Sequence, residues 1–256
     1  MNWKTFYALL SRDGHVARRN LLPMLLQNLL QPLLFTFVFG RVMTASGMMP
    51  EAYKSMLLPG VMAISMVLAG VQAVAMPLIT EFQFTREIED RLLAPIEIGW
   101  LAVQKIVFGM IQATFAGLVV IPAAWLLMGS GVKLDFGHPV EFLLVALLVA
   151  MFSATGGLAL GCSVGQTQIG LMFSLVLAPM MMFGCAYYPW KALESFPILH
   201  VAVLINPLVY ASEGLRGALV PQVAHMDTAI VIGALALIDI GLLYIGLKKF
   251  RQKAVS

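Results

Sequence analysis

Long apolar runs alternate with short polar or charged stretches along most of the chain. Six of these runs are long enough to cross about 30 Å of hydrocarbon at about 1.5 Å per helical residue. Their length and continuous apolar character favour helices over barrel strands, which are short and alternate strictly. The pattern predicts transmembrane helices at about 21–43, 56–80, 100–128, 139–163, 168–188 and 228–247.

The first stretch, residues 1–20, has a different pattern. Its apolar side chains recur at helical spacing among basic residues, which predicts an amphipathic helix in the membrane interface. A frayed basic tail is the alternative. The first apolar run begins near Leu21 and is too long for a signal peptide, so we expect this span to be retained. The apolar residues of the N-terminal pattern are Trp3, Phe6, Tyr7 and Leu10.

The stretch 190–220 is apolar enough to suggest a seventh span, but its helical pattern is broken at Asn206-Pro207. Proline lacks a backbone N–H and disfavours the α conformation of the residue before it. We therefore predict two short re-entrant helices that enter the outer leaflet and return. Because no loop is long enough for a separate domain, residues 1–256 are predicted to form a single transmembrane domain.

Composition agrees with an all-α polytopic membrane protein. Hydrophobic residues make up 60% of the chain and charged residues 11%, against about 25% charged in soluble domains, and the mean hydropathy is +0.90. Eleven of the lysines and arginines fall on the side of the membrane that would hold both termini, and five fall on the other. The excess of basic residues predicts that both termini lie in the cytoplasm.

A charged cassette lies between the second and third runs. Glu81–Gly99 holds seven charged residues, of which five are acidic. Phe84, Ile88 and Leu92 fall at i, i+4 and i+8, and Pro95 ends the pattern, which predicts a short cytosolic amphipathic helix at about 84–94, within the segment 81–98. A helix that lies on anionic lipid usually has a basic polar face. The acidic excess therefore favours a protein partner, with simple membrane adhesion as the alternative.

Small residues recur at every fourth position near the end of the fourth run. Such a ridge lets two helices approach closely in lipid. The neighbouring helix belongs either to the same chain or to a second copy. The ridge consists of Ser153, Gly157, Gly161 and Gly165.

Several polar and polarisable side chains are predicted at membrane depth. Asp239 is the one carboxylate well inside a predicted span, where it serves either proton coupling or a hydrogen bond to a neighbouring helix. Gln27 and Gln31 share one face of the first span and either line a polar path or join helices. The fifth run contains Met180, Met181 and Phe183, which suit an adaptable substrate surface but equally core packing or contact with lipid.

Catalytic and metal-binding patterns have little support. Cys162 and Cys185 lie in apolar stretches and are expected to be small buried residues, and the four histidines are scattered. Serines such as Ser65 and Ser174 lie in apolar runs with no histidine on the same helical turn, so catalysis by a nucleophile–base pair has little support. The G-x-x-x-x-G-K-[ST] phosphate loop is also absent from the sequence, so any ATP used would be bound by another chain.

Three motifs together resemble the ABC-2 type family of ABC exporter permeases. They are "LLPG" at Leu57–Gly60, "REIEDRLLAPI" within the charged cassette, and "INPLVYASEGLRGAL" at Ile205–Leu219. None is as specific as a Walker sequence, but their order matches the family over nearly the whole length.

The resemblance implies a permease that is not itself an enzyme. It would work as a dimer, most simply a homodimer, with ATP-binding subunits that hold ATP and Mg²⁺, in the lipid of a bacterial inner membrane and without nucleic acid. Amphipathic or lipid-linked substrates would leave the cytoplasm, and the turn Gly165–Gln168 would make a second ATPase contact. The implied ATPase-docking residues are Phe84, Arg86, Glu87, Ile88, Glu89, Asp90, Arg91 and Leu92, and those of the outer re-entrant motif are Asn206, Pro207, Tyr210, Glu213 and Arg216.

A second class of function remains open, namely an ion-coupled carrier or a membrane assembly factor that needs no ATPase. A carrier would be expected to have broken helices and an ionisable pair at the membrane midplane. The break at Asn206-Pro207 is instead predicted near the outer side, and Asp239 has no obvious intramembrane partner in the sequence.

Overall fold

The computed structural model describes residues 3–19, 21–83 and 98–255. These residues form helices joined by turns, with no β-strand among them, which confirms the prediction of an all-α polytopic membrane protein. Proline occurs inside several of the long helices, as is tolerated in membrane proteins where neighbouring groups satisfy the freed backbone carbonyls.

The helices follow the apolar runs closely. We label them α1 (Trp3–Arg19), α2 (Leu21–Phe35, continued by a π-helix at Thr36–Val42 and a last turn at Met43–Ala45), α3 (Tyr53–Gln83), α4 (Ile98–Met128), α5 (Pro139–Ser163), α6 (Ile169–Met182), α7 (Pro197–Ile205), α8 (Pro207–Leu219) and α9 (Thr228–Val255).

Within the described residues, four helices are long and apolar enough to cross a membrane, namely α3, α4, α5 and α9. A fifth is added if α7 and α8 are counted as one bent span. The predicted total of six also requires α2 and α6 to cross, and it remains a prediction.

Two predicted boundaries differ from the structure. The fifth run was expected to continue to about residue 188, but α6 ends at Met182. Beyond it Cys185 has a φ of 51°, a left-handed conformation that a continuing α-helix cannot accommodate. The charged cassette is also shorter than predicted, because Glu81 still belongs to α3 and Ile98 already begins α4.

Helix α3 lies at the centre of the bundle and packs against α4, α5 and α8, while α5 also packs against α9. Leu57, Met62, Ile64 and Leu78 of α3 are fully buried. A helix that is apolar all round is suited to this central position, since it has no polar face to present to water.

The small-residue ridge of α5 packs against α3 of the same chain. A Cβ atom added at Gly157 would lie 2.9 Å from the carbonyl oxygen of Val71, and one added at Gly161 would lie 2.9 Å from the Cα of Ala75. Gly70 of α3 faces Ser153 in the same interface. Gly165 lies beyond the last residue of α5.

Candidate functional site

The end of α3 and the start of α4, which lie on either side of the charged segment 84–97, are at one end of the bundle, together with α1 and the last turns of α9. Phe82, near the end of α3, packs edge to face against Phe250 of α9 at 5.8 Å between ring centroids. The Nζ of Lys253 lies 5.0 Å from the Phe82 ring centroid. At the start of α4, Trp100 contacts Phe6 of α1 with 6.4 Å between ring centroids. We call this the terminal end.

A buried charge cluster joins three helices at the terminal end. The Nζ of Lys105 on α4 donates to Oε1 of Glu81 on α3 at 2.8 Å and to Oδ2 of Asp13 on α1 at 3.2 Å. The same Asp13 oxygen accepts a hydrogen bond from Nε2 of Gln104 at 3.0 Å. The side chains of Lys105, Glu81 and Asp13 are only 3%, 8% and 11% exposed. We call these three residues the Lys105 cluster.

The predicted docking residues Phe84, Arg86, Glu87, Ile88, Glu89, Asp90, Arg91 and Leu92 lie outside the described residues. The structure therefore describes the two helix ends that carry the segment and the cluster between them. The turn Gly165–Gln168, which the family resemblance implied as a second ATPase contact, follows the end of α5. That end also lies at the terminal end, because Ser163 of α5 accepts a hydrogen bond from Nζ of Lys249 at 2.7 Å.

At the opposite end, α7 and α8 form a helix pair bent by 97°. The break falls at Asn206-Pro207, as predicted, with Pro207 in the first turn of α8. The Asn206 side chain fixes the break from both sides. Its Oδ1 accepts the N–H of Leu208 at 3.0 Å, and its Nδ2 donates to the carbonyl of Met180 on α6 at 2.7 Å. The Tyr210 hydroxyl spans the same bend and donates to the carbonyl of Leu204 at 2.8 Å.

Glu213 and Arg216 of α8, which are neighbours on the helix surface at i,i+3 spacing, form an ion pair, and both side chains are fully buried. Arg216 also donates from Nη2 to the carbonyl of Cys185 at 2.8 Å and from Nε to the carbonyl of Met56 at 3.5 Å. Met56 lies in the first turns of α3, and Cys185 lies in the turn after α6. The guanidinium group therefore joins three parts of the chain.

The Glu213 carboxylate binds the chain on both sides of the bent pair. Its Oε1 accepts the N–H of Trp190 at 2.9 Å, and its Oε2 accepts the N–H of Met226 at 2.8 Å. Trp190 precedes α7 and Met226 follows α8, so the chain enters and leaves the pair beside the same side chain. The bent pair is either a re-entrant loop or a broken span.

The residues predicted for a substrate path differ in their exposure. Gln31 and Phe183 are exposed, Met181 is buried in the core, and Met180 is partly buried, with its carbonyl bonded to Asn206. The side chain of Gln27 lies outside the described part of the structure.

Asp239 lies on the face of α9 that is buried inside the bundle, with 1% of its surface exposed. Within the described residues, neither of its carboxylate oxygens has a hydrogen-bond partner. Cys162 and Cys185 are buried free thiols, as their apolar surroundings predicted.

The Lys105 cluster was not anticipated from the sequence. Asp13 and Lys105 are separated by 92 positions, and no local pattern links them. One indication was available, because a lysine and a glutamate at the margins of apolar helices are costly to bury unless they are paired.

Comparison with known proteins identifies the family. The family model described as ABC-2 type transporter matches residues 5–220, from α1 through the end of α8. The comparisons with curated proteins and with solved structures gave no match. With apolar helices long enough to span a membrane several times and a family match over most of its length, the chain belongs to the ABC-2 type transporter family and is a multi-pass membrane permease component of an ABC transporter.

Proposed function

We propose that this chain is the permease of an ATP-driven exporter that moves an amphipathic or lipid-linked substrate out of the cytoplasm. Drugs, glycolipids and polysaccharides are the substrate classes that the family resemblance implies. ATP and Mg²⁺ are bound by a separate ATP-binding subunit. The observation that carries the proposal is the family match over residues 5–220, which covers both the charged segment and the bent helix pair.

The charged segment 84–97 is the proposed docking element for the ATPase. Its acidic excess, with Glu87, Glu89 and Asp90 in one short stretch, suits a basic protein surface better than anionic lipid. The two helices that carry it support this role, because α3 and α4 pack along each other and are tied at their ends by Lys105 and Glu81. A displacement of the segment would therefore reach the centre of the bundle directly.

In the proposed cycle, ATP binding brings two ATPase subunits together, and their movement is transmitted through segment 84–97 of each permease copy. The membrane helices of two copies, most simply a homodimer, then switch between inward-facing and outward-facing states. ATP and substrate must each favour one of these states for the coupling to work. The bent pair α7–α8 would guard the outer exit, with Glu213 and Arg216 holding it in place.

A substrate path between two copies would use faces that a single copy leaves exposed. Gln31 of α2 and Phe183 after α6 are such exposed residues, and Gln27 completes the proposed polar face. Met180 and Met181 belong to the same proposal, although the buried side chain of Met181 suits a packing role. The termini and segment 84–97 would face the cytoplasm of a bacterium, as the distribution of basic residues predicts.

Co-purification tests the proposal. The permease should be expressed with the ATP-binding-cassette protein encoded beside it, and the expected result is a stable complex that hydrolyses ATP. Charge reversal at both Glu87 and Asp90 should weaken the complex or uncouple hydrolysis from transport. Reversal at Glu51 and Glu194, exposed acids at the opposite end, is the matched control and should leave both properties unchanged. If the Glu87 and Asp90 variant keeps full assembly and coupling, the docking assignment is wrong.

The second candidate function, an ion-coupled carrier, rests on one observation. Asp239 is buried with no hydrogen-bond partner for either oxygen in the described residues, and an ionisable group inside a membrane protein is a candidate for proton transfer. Asp239→Asn separates this function from ATP-driven export.

A further inference from the structure

The Lys105 cluster lies where the charged segment joins the bundle. Glu81 precedes the last residue of α3 by less than one helical turn, and Lys105 follows the first residue of α4 by about two turns. The 2.8 Å contact between Lys105 and Glu81 thus spans the two ends of segment 84–97. Any movement of one end relative to the other changes the distance across this contact.

The same lysine holds α1. No residue of α1, which is described from Trp3 to Arg19, is fully buried, and its apolar contact with the core of the bundle includes the partly buried Leu9. Its Asp13 carboxylate accepts hydrogen bonds from both Lys105 and Gln104 on α4. Phe6, about two helical turns before Asp13 on the same face of α1, contacts the ring of Trp100 on α4.

The energetics make Lys105 the central member of the cluster. One ammonium group lies between two carboxylates from different helices, and all three side chains are largely removed from water. Removing one partner of a buried ion pair is strongly destabilising, since the remaining charge is left in a poor solvent. Loss of Lys105 would remove the hydrogen bonds that its ammonium group donates to Asp13 on α1 and to Glu81 on α3, and with them a direct link between these two helices.

We infer that Lys105 is a positioning residue that fastens α1 to the ends of α3 and α4 on either side of segment 84–97, so that α1 and these two helix ends move as one unit. This inference rests on the proposed function, in which the ATPase displaces the segment. Helix α1 would then move together with the ends of α3 and α4. The displacement caused by the ATPase would therefore reach the lipid surface through α1 as well as the membrane interior through α3 and α4.

Spin-label distances test the inference in the full-length permease, reconstituted in lipid nanodiscs with and without its ATPase. Labels are placed at Ser11 on α1 and Gln252 at the end of α9, both exposed positions. We expect one narrow distance in the unsubstituted protein and a shift of that distance when nucleotide is added to the complex. Lys105→Met should lose both the narrow distance and the nucleotide-dependent shift. Lys105→Arg, which keeps the cation, should retain both.

Lys54→Met is the matched control, because it removes a lysine from the opposite end of α3 with its surface ion pair to Glu51. It should leave the distance and its shift unchanged. A gel-filtration profile and unfolding temperature equal to those of the unsubstituted protein show that each variant is folded. If Lys105→Met does not fold, Asp13→Asn replaces it, since this change acts on α1 alone, and a broadened distance is again expected.

An unchanged narrow distance and an unchanged nucleotide shift in a folded Lys105→Met or Asp13→Asn variant would overturn the inference. If the proposed function is wrong, the unsubstituted permease binds no ATPase. The label distance in the permease alone still shows in that case whether Lys105 holds α1, so the two failures can be told apart.

Discussion

Arg216 is the largest of the fully buried side chains, and its position explains how an apolar bundle accommodates a full charge. The guanidinium group is paired with Glu213 and donates to backbone carbonyls of two other segments. The carboxylate in turn accepts two backbone N–H groups. A buried ion pair is tolerated when its remaining donors and acceptors are satisfied in this way.

Arg216→Met should therefore be severely destabilising. It leaves the Glu213 carboxylate buried without its cation, at a cost of about 3–5 kcal/mol in the free energy of unfolding. Glu51→Gln removes the exposed partner of the Glu51–Lys54 pair, in which the Glu51 side chain is 74% exposed and that of Lys54 is 12% exposed, and should cost about 0–1 kcal/mol because water can solvate the change at Glu51. Thermal unfolding in detergent compares the two variants. Equal unfolding temperatures would contradict the role assigned to Arg216.

Asp239→Asn distinguishes ATP-driven export from ion coupling. The substitution removes a buried ionisable group whose oxygens have no hydrogen-bond partner in the described part of the chain, and an unpaired buried charge is costly. We expect equal or greater thermal stability and ATP-driven transport within about twofold of the unsubstituted protein, which corresponds to less than about 0.5 kcal/mol. Transport assays in vesicles measure this, and loss of transport by a normally folded variant would instead support proton coupling.

At the residue level, local spacing predicted some contacts and missed others. The pair Glu213–Arg216 could be predicted because i,i+3 residues are neighbours on a helix. The hydrogen bonds from Arg216 to Met56 and Cys185, and from Met226 to Glu213, could not be predicted, since they depend on how separate segments fold together. Lys105 shows the same limit, because its partners come from two other helices.

At the level of helices, α5 and α3 approach closely because glycine leaves room for the facing backbone. Gly157→Ala should force the two helices apart and cost about 1–3 kcal/mol, as for other overpacked sites. Gly156→Ala is the matched control, since its added Cβ would meet only Leu242, at 3.9 Å. Unfolding temperatures measured side by side should fall for Gly157→Ala alone. If the unfolding temperatures of Gly157→Ala and Gly156→Ala fall equally, the close approach of α5 to α3 at Gly157 is not what makes a larger side chain costly there.

The bent pair α7–α8 makes a topological prediction. Because Trp190 and Met226 both bind Glu213, the chain before and after the pair should lie on the same side of the membrane. Cysteines placed at the exposed residues Lys191 and Gln222 should both react with a membrane-impermeant thiol reagent added outside intact cells. A cysteine at Gln252 should react only after permeabilisation. The native Cys162 and Cys185 are buried, so they give little background.

If Lys191 and Gln222 react from opposite sides, α7 and α8 form a broken span, and the predicted count of six spans is wrong.

Helix positions were otherwise well predicted, because an apolar run long enough to cross a bilayer has few alternatives to a helix. The end of α6 was missed, since the left-handed conformation of Cys185 has no marker in the sequence as clear as a glycine or proline at that position.

For the whole molecule, the termini and both ends of segment 84–97 lie at one end of the bundle, and the bent pair lies at the other. This separation suits a permease whose ATPase-docking segment and whose exit for substrate lie on opposite sides of the membrane. The membrane class and the general arrangement could be predicted from hydropathy and from the family resemblance. The proposed docking surface could be located in the sequence only as segment 84–97. The contribution of each of its residues to binding could not be predicted, because it depends on the surface of the partner.

The central claim is that segment 84–97 contacts a separate ATPase, and site-specific photocrosslinking tests it most directly. A photoreactive amino acid is placed at Ile88 in the apolar stripe of the segment and, as a control, at Phe136, an exposed residue at the opposite end. After irradiation of cells that also contain the ATPase, the account predicts a permease–ATPase adduct from position 88 and none from position 136. An adduct from position 136 alone, or none from either position when the complex is shown to be present, would contradict it.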